Sequence, residues 1–296
     1  MAENQLPIIG VHDDPDLFRE TLNFTATQTS FPARLIEKDY FCTVLLAYLG
    51  SIGGQSVFKG GTCLAKVHGS FYRLSEDLDF AIPMPATASR SERGRRVRAL
   101  KNALNKLAES IPCFRVTAPL VGANDSAQYI GAVSYASSVT RQDEPVSIEI
   151  SLREPLLMPT VDGPVHTMLL DPVSGQEIVR PVGFPCIAKI EAFAEKYRAA
   201  LTRREVAIRD FYDLDYAVRK LEIRPEDVDL VELVELKLAV PGNDPINIGP
   251  SRLAQLRGQL DARLKPVLRD ADLAAFDLDR AFNLVSEMAG RLSESR

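Results

Sequence analysis

Apolar residues recur at helical spacing in two stretches of the N-terminal half. The first runs from Arg34 to Leu49 and has apolar positions at Leu35, Phe41, Val44, Leu45, Tyr48 and Leu49. Gly50 follows it directly and favours a stop, so the pattern predicts a packing helix. The second runs from Ser89 to Ser110 and has one apolar stripe at Val97, Leu100, Leu104 and Leu107. It predicts an amphipathic helix that crosses back over a sheet.

Short β-branched or alternating stretches predict the strands of that sheet. They cover residues 56–59, 77–82, 114–117, 128–137 and 146–152. The first is followed by Gly60-Gly61 and then by good helix formers from Thr62 to His68, which predicts a strand, a glycine turn and a helix. In the second, alternation places Asp77 and Asp79 on one face of the strand and the apolar residues on the other.

The C-terminal half has a different pattern. A proline-rich interval from Pro155 to Pro185 is followed by helical periodicity almost to the end of the chain. We therefore predict two domains. The first, residues 1–160, is a core with N-terminal helices, and the second, residues 161–296, is helical.

Composition and charge narrow the class of protein. Hydrophobic residues make up 46% and charged residues 25%, as in ordinary globular proteins, and the net charge of −5 leaves nucleic-acid binding to a local basic patch. The cysteines lack the spacing of zinc ligands, so we expect Cys42, Cys63, Cys113 and Cys186 to be reduced and mostly buried. Because no secretory or membrane-spanning segment is evident, we expect a cytoplasmic protein without a membrane partner.

The paired aspartates indicate a metal site. Asp77 and Asp79 point the same way, and Glu149 on a neighbouring strand is either a third oxygen ligand or a solvent-facing residue. Gly60, Gly61 and Thr62 open a helix whose backbone N–H groups can bind phosphates. Either feature alone is often only a solvated strand edge or an ordinary turn, but their order along the chain predicts a nucleoside triphosphate held beside two Mg²⁺ ions.

Several motifs resemble one known family. Gly60-Gly61-Thr62-Cys63-Leu64 and Leu74-Ser75-Glu76-Asp77-Leu78-Asp79-Phe80 are similar to motifs of the AbiEii/AbiGii nucleotidyltransferase toxins. Glu37-Lys38-Asp39-Tyr40 resembles the N-terminal helix of that family. Ala188-Lys189-Ile190-Glu191-Ala192 and Arg209-Asp210-Phe211-Tyr212-Asp213-Leu214 resemble its later lysine and aspartate motifs. The resemblance covers roughly residues 35 to 220, and it departs from many related enzymes in the fifteen residues between Gly61 and Asp77.

The resemblance implies a fold, an activity and partners. The fold is α+β, with a polymerase β-like nucleotidyltransferase core, a mixed β-sheet and a mostly helical C-terminal domain. The implied activity is nucleotide transfer from an NTP to an acceptor, and the 3′ end of tRNA is the acceptor we expect. The implied partner is a cognate antitoxin encoded by the adjacent gene, in a toxin–antitoxin or phage-defence pair. The alternatives are nucleotidylation of a protein or small molecule, and a non-catalytic nucleotide-binding module.

The resemblance also assigns site residues in the C-terminal domain. Lys189 and Asp210 carry over as catalytic residues, and Lys189 also as a triphosphate-binding residue. On its own chemistry, Lys189 is either that cation or a solvated helix lysine. Asp210 either orients Lys189 or the acceptor hydroxyl, or forms a surface ion pair with Arg203 or Arg204.

Two further hypotheses concern binding and control. The helix over 89–110 is rich in cations, and Arg93, Arg95, Arg96 and Arg98 are candidate RNA contacts, although such a run is often only a solvated face. Ser75 and Thr62 are expected to face the phosphate pocket as nucleotide-binding neighbours. Phosphorylation of either residue would place negative charge there and inactivate the enzyme, whereas the simpler interpretation is that both only cap local structure.

Overall fold

The computed structural model describes residues 10–294 and divides them into two compact units. Unit 1 comprises the chain up to Leu156 together with Thr160–Ile187, and unit 2 comprises Leu157–Pro159 and the chain from Ala188 onward. The predicted boundary after residue 160 is therefore corrected. Residues 161–187 belong to the sheet of unit 1, and the helical region starts at Ala188.

Unit 1 contains both helices and strands, whereas the described elements of unit 2 are all helical. The helices of unit 1 are α1 (Pro15–Thr29), α2 (Ala33–Ser51), α3 (Gly60–Cys63), α4 (Arg90–Asn105) and α5 (Leu107–Ser110). Its strands are β1 (Val57–Lys59), β2 (Leu78–Ala81), β3 (Phe114–Ala123), β4 (Gln128–Ala136), β5 (Asp143–Ser151), β6 (Val161–Val165) and β7 (Val182–Cys186). The helices of unit 2 are α6 (Lys189–Thr202), α7 (Ile208–Lys220), α8 (Val228–Ala239), α9 (Pro250–Arg257), α10 (Asp270–Ala275) and α11 (Leu278–Glu294).

The strands of unit 1 form one mixed sheet in the order β3-β4-β5-β2-β1-β7-β6. Strand β2 runs antiparallel to β1 and parallel to β5. The short strands β1 and β2 therefore lie between the antiparallel strands β3, β4 and β5 on one side and the antiparallel pair β6 and β7 on the other. The α+β fold with a mixed sheet and a helical C-terminal region is thus confirmed. Strands β6 and β7 were not predicted, because each contains a glycine and a proline that obscure the strand pattern.

Local sequence explains where the helices of unit 1 begin. Asp14 caps α1 by accepting hydrogen bonds from the N–H groups of Asp16 and Leu17, and Pro15 occupies the first turn. Ser89 and Glu92 form a reciprocal capping box at the start of α4. The predicted helix over 34–49 is confirmed as α2.

The core of unit 1 lies between α2 and the sheet. Tyr135 on β4 stacks on Phe41 of α2 with ring centroids 3.9 Å apart. Phe80 of β2 packs against Phe58 on the adjacent strand β1 and against Phe184 on β7, the next strand beyond it. These rings pack on the core-facing side of the central strands. The polar side chains of β2 lie on the opposite face of the sheet.

Unit 2 is held by apolar seams and by ion pairs. Phe211 of α7 and Phe282 of α11 stack at 6.1 Å between ring centroids. Lys237 is buried and contacts Glu191 at 2.7 Å, and Glu191 also accepts hydrogen bonds from the N–H groups of Leu157 and Met158. These two hydrogen bonds to Glu191 explain why Leu157–Pro159 belongs to unit 2.

The state of the cysteines and the length of the apolar helices can both be compared with the sequence-based expectations. All four cysteines are free thiols, and three of them are buried, as predicted. Burial raises the pKa of Cys42 to about 12 and that of Cys113 to about 11, which keeps both thiols protonated at neutral pH. Within residues 10–294, no helix is both long enough and apolar enough to span a membrane.

Candidate active site

The paired aspartates lie at the start of β2, in the middle of the sheet. Leu78 and Phe80 are buried in the core, whereas Asp77 and Asp79 are half-buried on the other side of the strand. The predicted alternation is therefore confirmed. It places both carboxylates on the same face of the strand.

Strand pairing sets two further polar residues beside Asp79. Glu149 of β5 and Lys59 of β1 are its register partners on either side. Opposite residues on paired strands project from the same face of a sheet, so one cation and two carboxylates form a row. Lys59 was not among the predicted site residues, because only the register of β1 against β2 reveals its position.

The glycine turn packs directly against this row. Gly60 has φ of +75°, and a Cβ at this residue would lie 2.8 Å from Cβ and Cγ of Asp79. A Cβ on Gly61 would lie 2.5 Å from Nη2 of Arg73 and 3.2 Å from Oγ of Ser75. Only glycines allow the turn to approach so closely, and α3 starts there with N–H groups that its first turn leaves without intrahelical acceptors.

Replacing Gly60 with alanine is therefore expected to displace Asp79 and to lower nucleotidyl transfer by about 100-fold, the cost of an ångström-scale misplacement. Gly53→Ala is the matched control, since Gly53 has φ of +68° and nothing within 4 Å of its Cβ position. Both variants carry the strain of a left-handed non-glycine residue, about 1–2 kcal/mol. Steady-state transfer rates compare them, and equal losses in the two would refute the contact.

Thr62 connects the glycine turn to Asp77. Its hydroxyl donates a short hydrogen bond to the backbone carbonyl of Asp77, and only 1% of the residue is exposed. The expectation that Thr62 faces the phosphate pocket is corrected, because this hydroxyl is buried and occupied within the loop. Ser75 is half-buried beside Gly61, so its role at the phosphates stays a prediction.

The long segment between Gly61 and Asp77 packs inward. Tyr72 and Arg73 are both about 2% exposed, and Nη1 of Arg73 donates to the carbonyl of Leu74 at 3.2 Å. The guanidinium lies against Gly61, as its distance from the Cβ position there shows. The long segment between Gly61 and Asp77 thus places the buried cation of Arg73 against the glycine turn. The sequence pattern did not predict this position.

Charged residues of α2 hold the loop before Asp77. Arg34 contacts Glu76 at 2.9 Å and Glu144 at 3.2 Å, and Lys38 contacts Glu76 at 3.3 Å. Burial raises the pKa of Glu76, but attraction to Lys38 and Arg34 outweighs that effect and leaves this pKa below its usual value. Glu76 is therefore ionised at neutral pH and ties the loop to α2.

Two neighbouring acids on the same helix have other structural roles. Glu37 accepts hydrogen bonds from the N–H and hydroxyl of Ser138 at 2.7 and 2.6 Å, which fixes the β4–β5 connection. Asp39 forms a buried ion pair with Lys66 at 2.6 Å. The Glu37-Lys38-Asp39 segment is thus an internal support for the sheet and for the helical segment Leu64–His68, which continues α3 after the glycine turn.

Metal ligation was predicted for Asp77, Asp79 and Glu149. Within residues 10–294, no group of three or more His, Cys, Asp or Glu side chains is gathered closely enough to hold an ion by itself. Mg²⁺ is usually bound through one or two carboxylates together with substrate phosphates, and the aspartate pair beside a phosphate-binding turn fits that requirement. Mg²⁺ and its ligand set remain predictions.

The predicted residues of unit 2 have well-defined partners within that unit. Asp210 is buried and contacts Lys196 at 2.8 Å and Arg203 at 3.0 Å, and Lys196 also contacts Asp213 at 2.9 Å. Burial raises the pKa of Asp210, but the two cations outweigh it and lower this pKa overall. The ion pair with Arg203 is confirmed, and it joins an exposed guanidinium to a buried carboxylate.

Lys189 is not the partner of Asp210. It is the first residue of α6, and its Nζ donates to the carbonyl of Leu221 at 3.4 Å. The lysine that contacts both aspartates is Lys196, about two turns further along α6. The expectation that Asp210 orients Lys189 is corrected, and the catalytic roles of Lys189 and Asp210 stay predictions.

The cationic helix α4 is largely exposed. Arg95, Arg96 and Arg98 are exposed and Arg93 is half-buried. None of these four arginines forms an ion pair with a carboxylate among the residues that the structure describes, although Arg93, Arg95 and Arg96 hydrogen-bond to neutral groups. A patch with these properties is suited to phosphates, and RNA contact stays a prediction.

A sheet with paired carboxylates, a glycine turn packed against them and a helical second unit are the features that the sequence motifs led us to expect of a nucleotidyltransferase. The family model described as "Nucleotidyl transferase AbiEii toxin, Type IV TA system" matches residues 45–283. The chain therefore belongs to the AbiEii family of nucleotidyltransferase toxins, as the motifs predicted.

Two solved structures are similar to the chain at low sequence identity. JHP933 from Helicobacter pylori is 18% identical, with 93% of each chain covered and a TM-score of 0.47. A structure from H. pylori described as a candidate nucleotidyltransferase is also 18% identical, with 94% of this chain and 98% of that chain covered and a TM-score of 0.43. None of the curated proteins matches the chain significantly.

Proposed function

We propose that the protein transfers a nucleotide from an NTP to the 3′ end of a tRNA and thereby blocks translation. One observation carries the proposal. Asp79 lies between Lys59 and Glu149 on one face of the sheet, directly against Gly60. Carboxylates, a cation and a phosphate-binding turn are thus gathered within adjacent strands, as phosphoryl-group chemistry requires.

The parts of the site have complementary tasks in this reaction. The backbone N–H groups after Gly60 bind the β- and γ-phosphates, and Lys59 offsets their charge. Asp77, Asp79 and Glu149 would hold Mg²⁺, which when bound neutralises charge on the reacting phosphate and its leaving group. Glu149 also lies on the side of Asp79 away from the glycine turn, where its carboxylate can accept the proton of the attacking hydroxyl.

The family adds a partner to this activity. Membership of a type IV toxin–antitoxin family implies an antitoxin that restrains the toxin. We propose that the gene for this antitoxin is adjacent, and that Ser75 beside the glycine turn is a position where phosphorylation would stop nucleotide binding. Ser75→Glu tests the second point, since a folded variant with full activity would refute it.

The acceptor is tested directly with labelled nucleotides. Each of the four NTPs, labelled at the α-phosphate, is incubated with the protein, Mg²⁺ and either total RNA or a protein extract. We expect label in the tRNA fraction with one NTP preferred, and removal of Mg²⁺ by EDTA is expected to abolish it. Label on protein alone would refute the tRNA acceptor, and no label on any macromolecule would count against transfer itself.

A further inference from the structure

The two glycines of the turn are explained by different features of the structure. Gly60 has φ of +75°, a conformation that favours glycine, whereas Gly61 is a helical residue of α3 without a positive φ. A helical position of this kind favours alanine over glycine. The glycine at position 61 must therefore be explained by the atoms around it and not by its own backbone.

The group that excludes a side chain from Gly61 is the guanidinium of Arg73. A Cβ on Gly61 would lie 2.5 Å from Nη2 and 3.3 Å from Cζ of Arg73. The only other near atom is Oγ of Ser75 at 3.2 Å, and a small movement of this hydroxyl would relieve that contact. The guanidinium thus occupies the space in which a side chain at position 61 would lie.

The side chain of Arg73 is held where it lies. Only 2% of the residue is exposed, Nη1 donates to the carbonyl of Leu74 at 3.2 Å, and Cζ lies 5.8 Å from the ring centroid of Tyr72. A guanidinium remains charged in a protein, and a buried charge is tolerated only with fixed polar contacts. An added methyl group at Gly61 would therefore displace the turn more readily than the arginine.

The segment that carries Arg73 folds back onto the helix after the turn. The N–H of Phe71 donates to the carbonyl of Ala65 at 2.9 Å, within the helical segment Leu64–His68. This contact returns the chain to the glycine turn before β2 begins. The long connection between Gly61 and Asp77 thus has a structural purpose, which is to bring a guanidinium to the turn.

The glycine turn contacts a cation at one glycine and a carboxylate at the other. The bond from Cα to Cβ in a helix tilts toward the N-terminus, so the guanidinium at the Cβ position of Gly61 lies toward the start of α3. The Cβ position of Gly60 lies 2.8 Å from Cβ of Asp79. A movement of either glycine would therefore change the distance between the turn and the proposed Mg²⁺ ligand.

We infer that Arg73 is a positioning residue of the candidate active site: its buried guanidinium takes the space of a side chain at Gly61 and fixes the glycine turn beside Asp79 for a triphosphate. The inference rests on the proposed function and deepens it. A polyanion binds more tightly to donors and charges that are already in place, because no reorganisation is needed on binding. Arg73 acts on the triphosphate through the turn, and its replacement should change NTP affinity.

A double-mutant cycle between Gly61→Ala and Arg73→Lys tests the inference. Lysine keeps the positive charge but lacks the Nη2 atom that the added methyl group would meet. Binding of each of the four NTPs with Mg²⁺ is measured by calorimetry without an acceptor. Gly61→Ala is expected to weaken binding about 30-fold alone but no more than about threefold when combined with Arg73→Lys, a coupling of about tenfold.

Gly290→Ala is the matched control for the glycine variant. Gly290 is also a helical glycine, in α11, and it has nothing within 4 Å of its Cβ position, so its replacement should leave NTP affinity unchanged. Unfolding midpoints verify that each variant is folded. A merely structural role of Arg73 would lower the midpoint of Arg73→Lys and leave the affinity of the folded protein for NTP as in the wild type.

The outcomes separate this inference from the proposed function. Wild-type NTP affinity in folded Gly61→Ala, or additive losses in the double variant, would overturn the role of Arg73 and leave nucleotide transfer unaffected as a proposal. Coupled losses in a protein that binds NTP but labels no acceptor would support the inference and refute the proposed function. Absence of NTP binding by the wild-type protein would overturn both.

Discussion

Asp79→Asn is expected to lower nucleotidyl transfer by about 10³-fold or more while the protein remains folded. Asparagine keeps the size of the side chain but removes the negative charge that the proposed Mg²⁺ site needs, and charge stabilisation of this kind contributes several kcal/mol to catalysis. Asp77→Asn should have a comparable effect, since both carboxylates lie at the start of β2. Initial rates at saturating NTP measure the loss.

The control for this pair is Asp162→Asn. Asp162 is an exposed aspartate of β6, at the far edge of the same sheet, and its replacement should leave the rate within about twofold. Growth arrest on expression should be lost with Asp79→Asn and retained with Asp162→Asn. A folded Asp79→Asn protein with the wild-type rate would contradict the assignment of the site.

Lys66→Met is expected to destabilise the protein by about 3–5 kcal/mol, because it leaves a buried carboxylate without its counter-ion. The side chain of Lys66 is fully buried, and its Nζ lies 2.6 Å from Oδ1 of Asp39. The same ammonium donates to the hydroxyl of Thr43 at 2.8 Å and to the carbonyl of His166 at 3.2 Å. Loss of the lysine therefore breaks a connection between α2, the helix after the glycine turn and the segment after β6.

Urea unfolding measures this effect against Lys106→Met. Lys106 is an exposed lysine at the end of α4, and its replacement should change the free energy of unfolding by no more than about 0.5 kcal/mol. Replacing both members of the pair, as in Asp39→Leu/Lys66→Met, should restore part of the lost stability. Equal stabilities of the Lys66 and Lys106 variants would show that the buried pair contributes little.

The elements that sequence predicted well are those with a strong local pattern. Helix α2 has apolar residues at helical spacing, and β2 and β5 alternate clearly, so their type and approximate bounds were predictable. The motif from Ser75 to Phe80 also gave the family. Strands β6 and β7 have no such pattern, because each contains a glycine and a proline. They form strands through pairing with each other, and β7 also pairs with β1.

The supports of the site were less predictable, because they depend on contacts between residues distant in sequence. Lys66 and Arg73 are spaced like ordinary surface cations, yet both are buried, since the fold brings acceptors to them. Lys59 adjoins Asp79 only through strand register. Similarly, the choice between Lys189 and Lys196 as the partner of Asp210 depends on which turn of α6 faces α7.

The central claim is that the site catalyses displacement at the α-phosphorus of an NTP, and double labelling tests it most directly. The protein is incubated with total RNA and the preferred NTP, which is labelled in one reaction at the α-phosphate and in the other at the γ-phosphate. The account predicts that only the α-label enters RNA, in equal amount to the pyrophosphate released, and that Asp79→Asn abolishes both. Entry of the γ-label into the acceptor would contradict it.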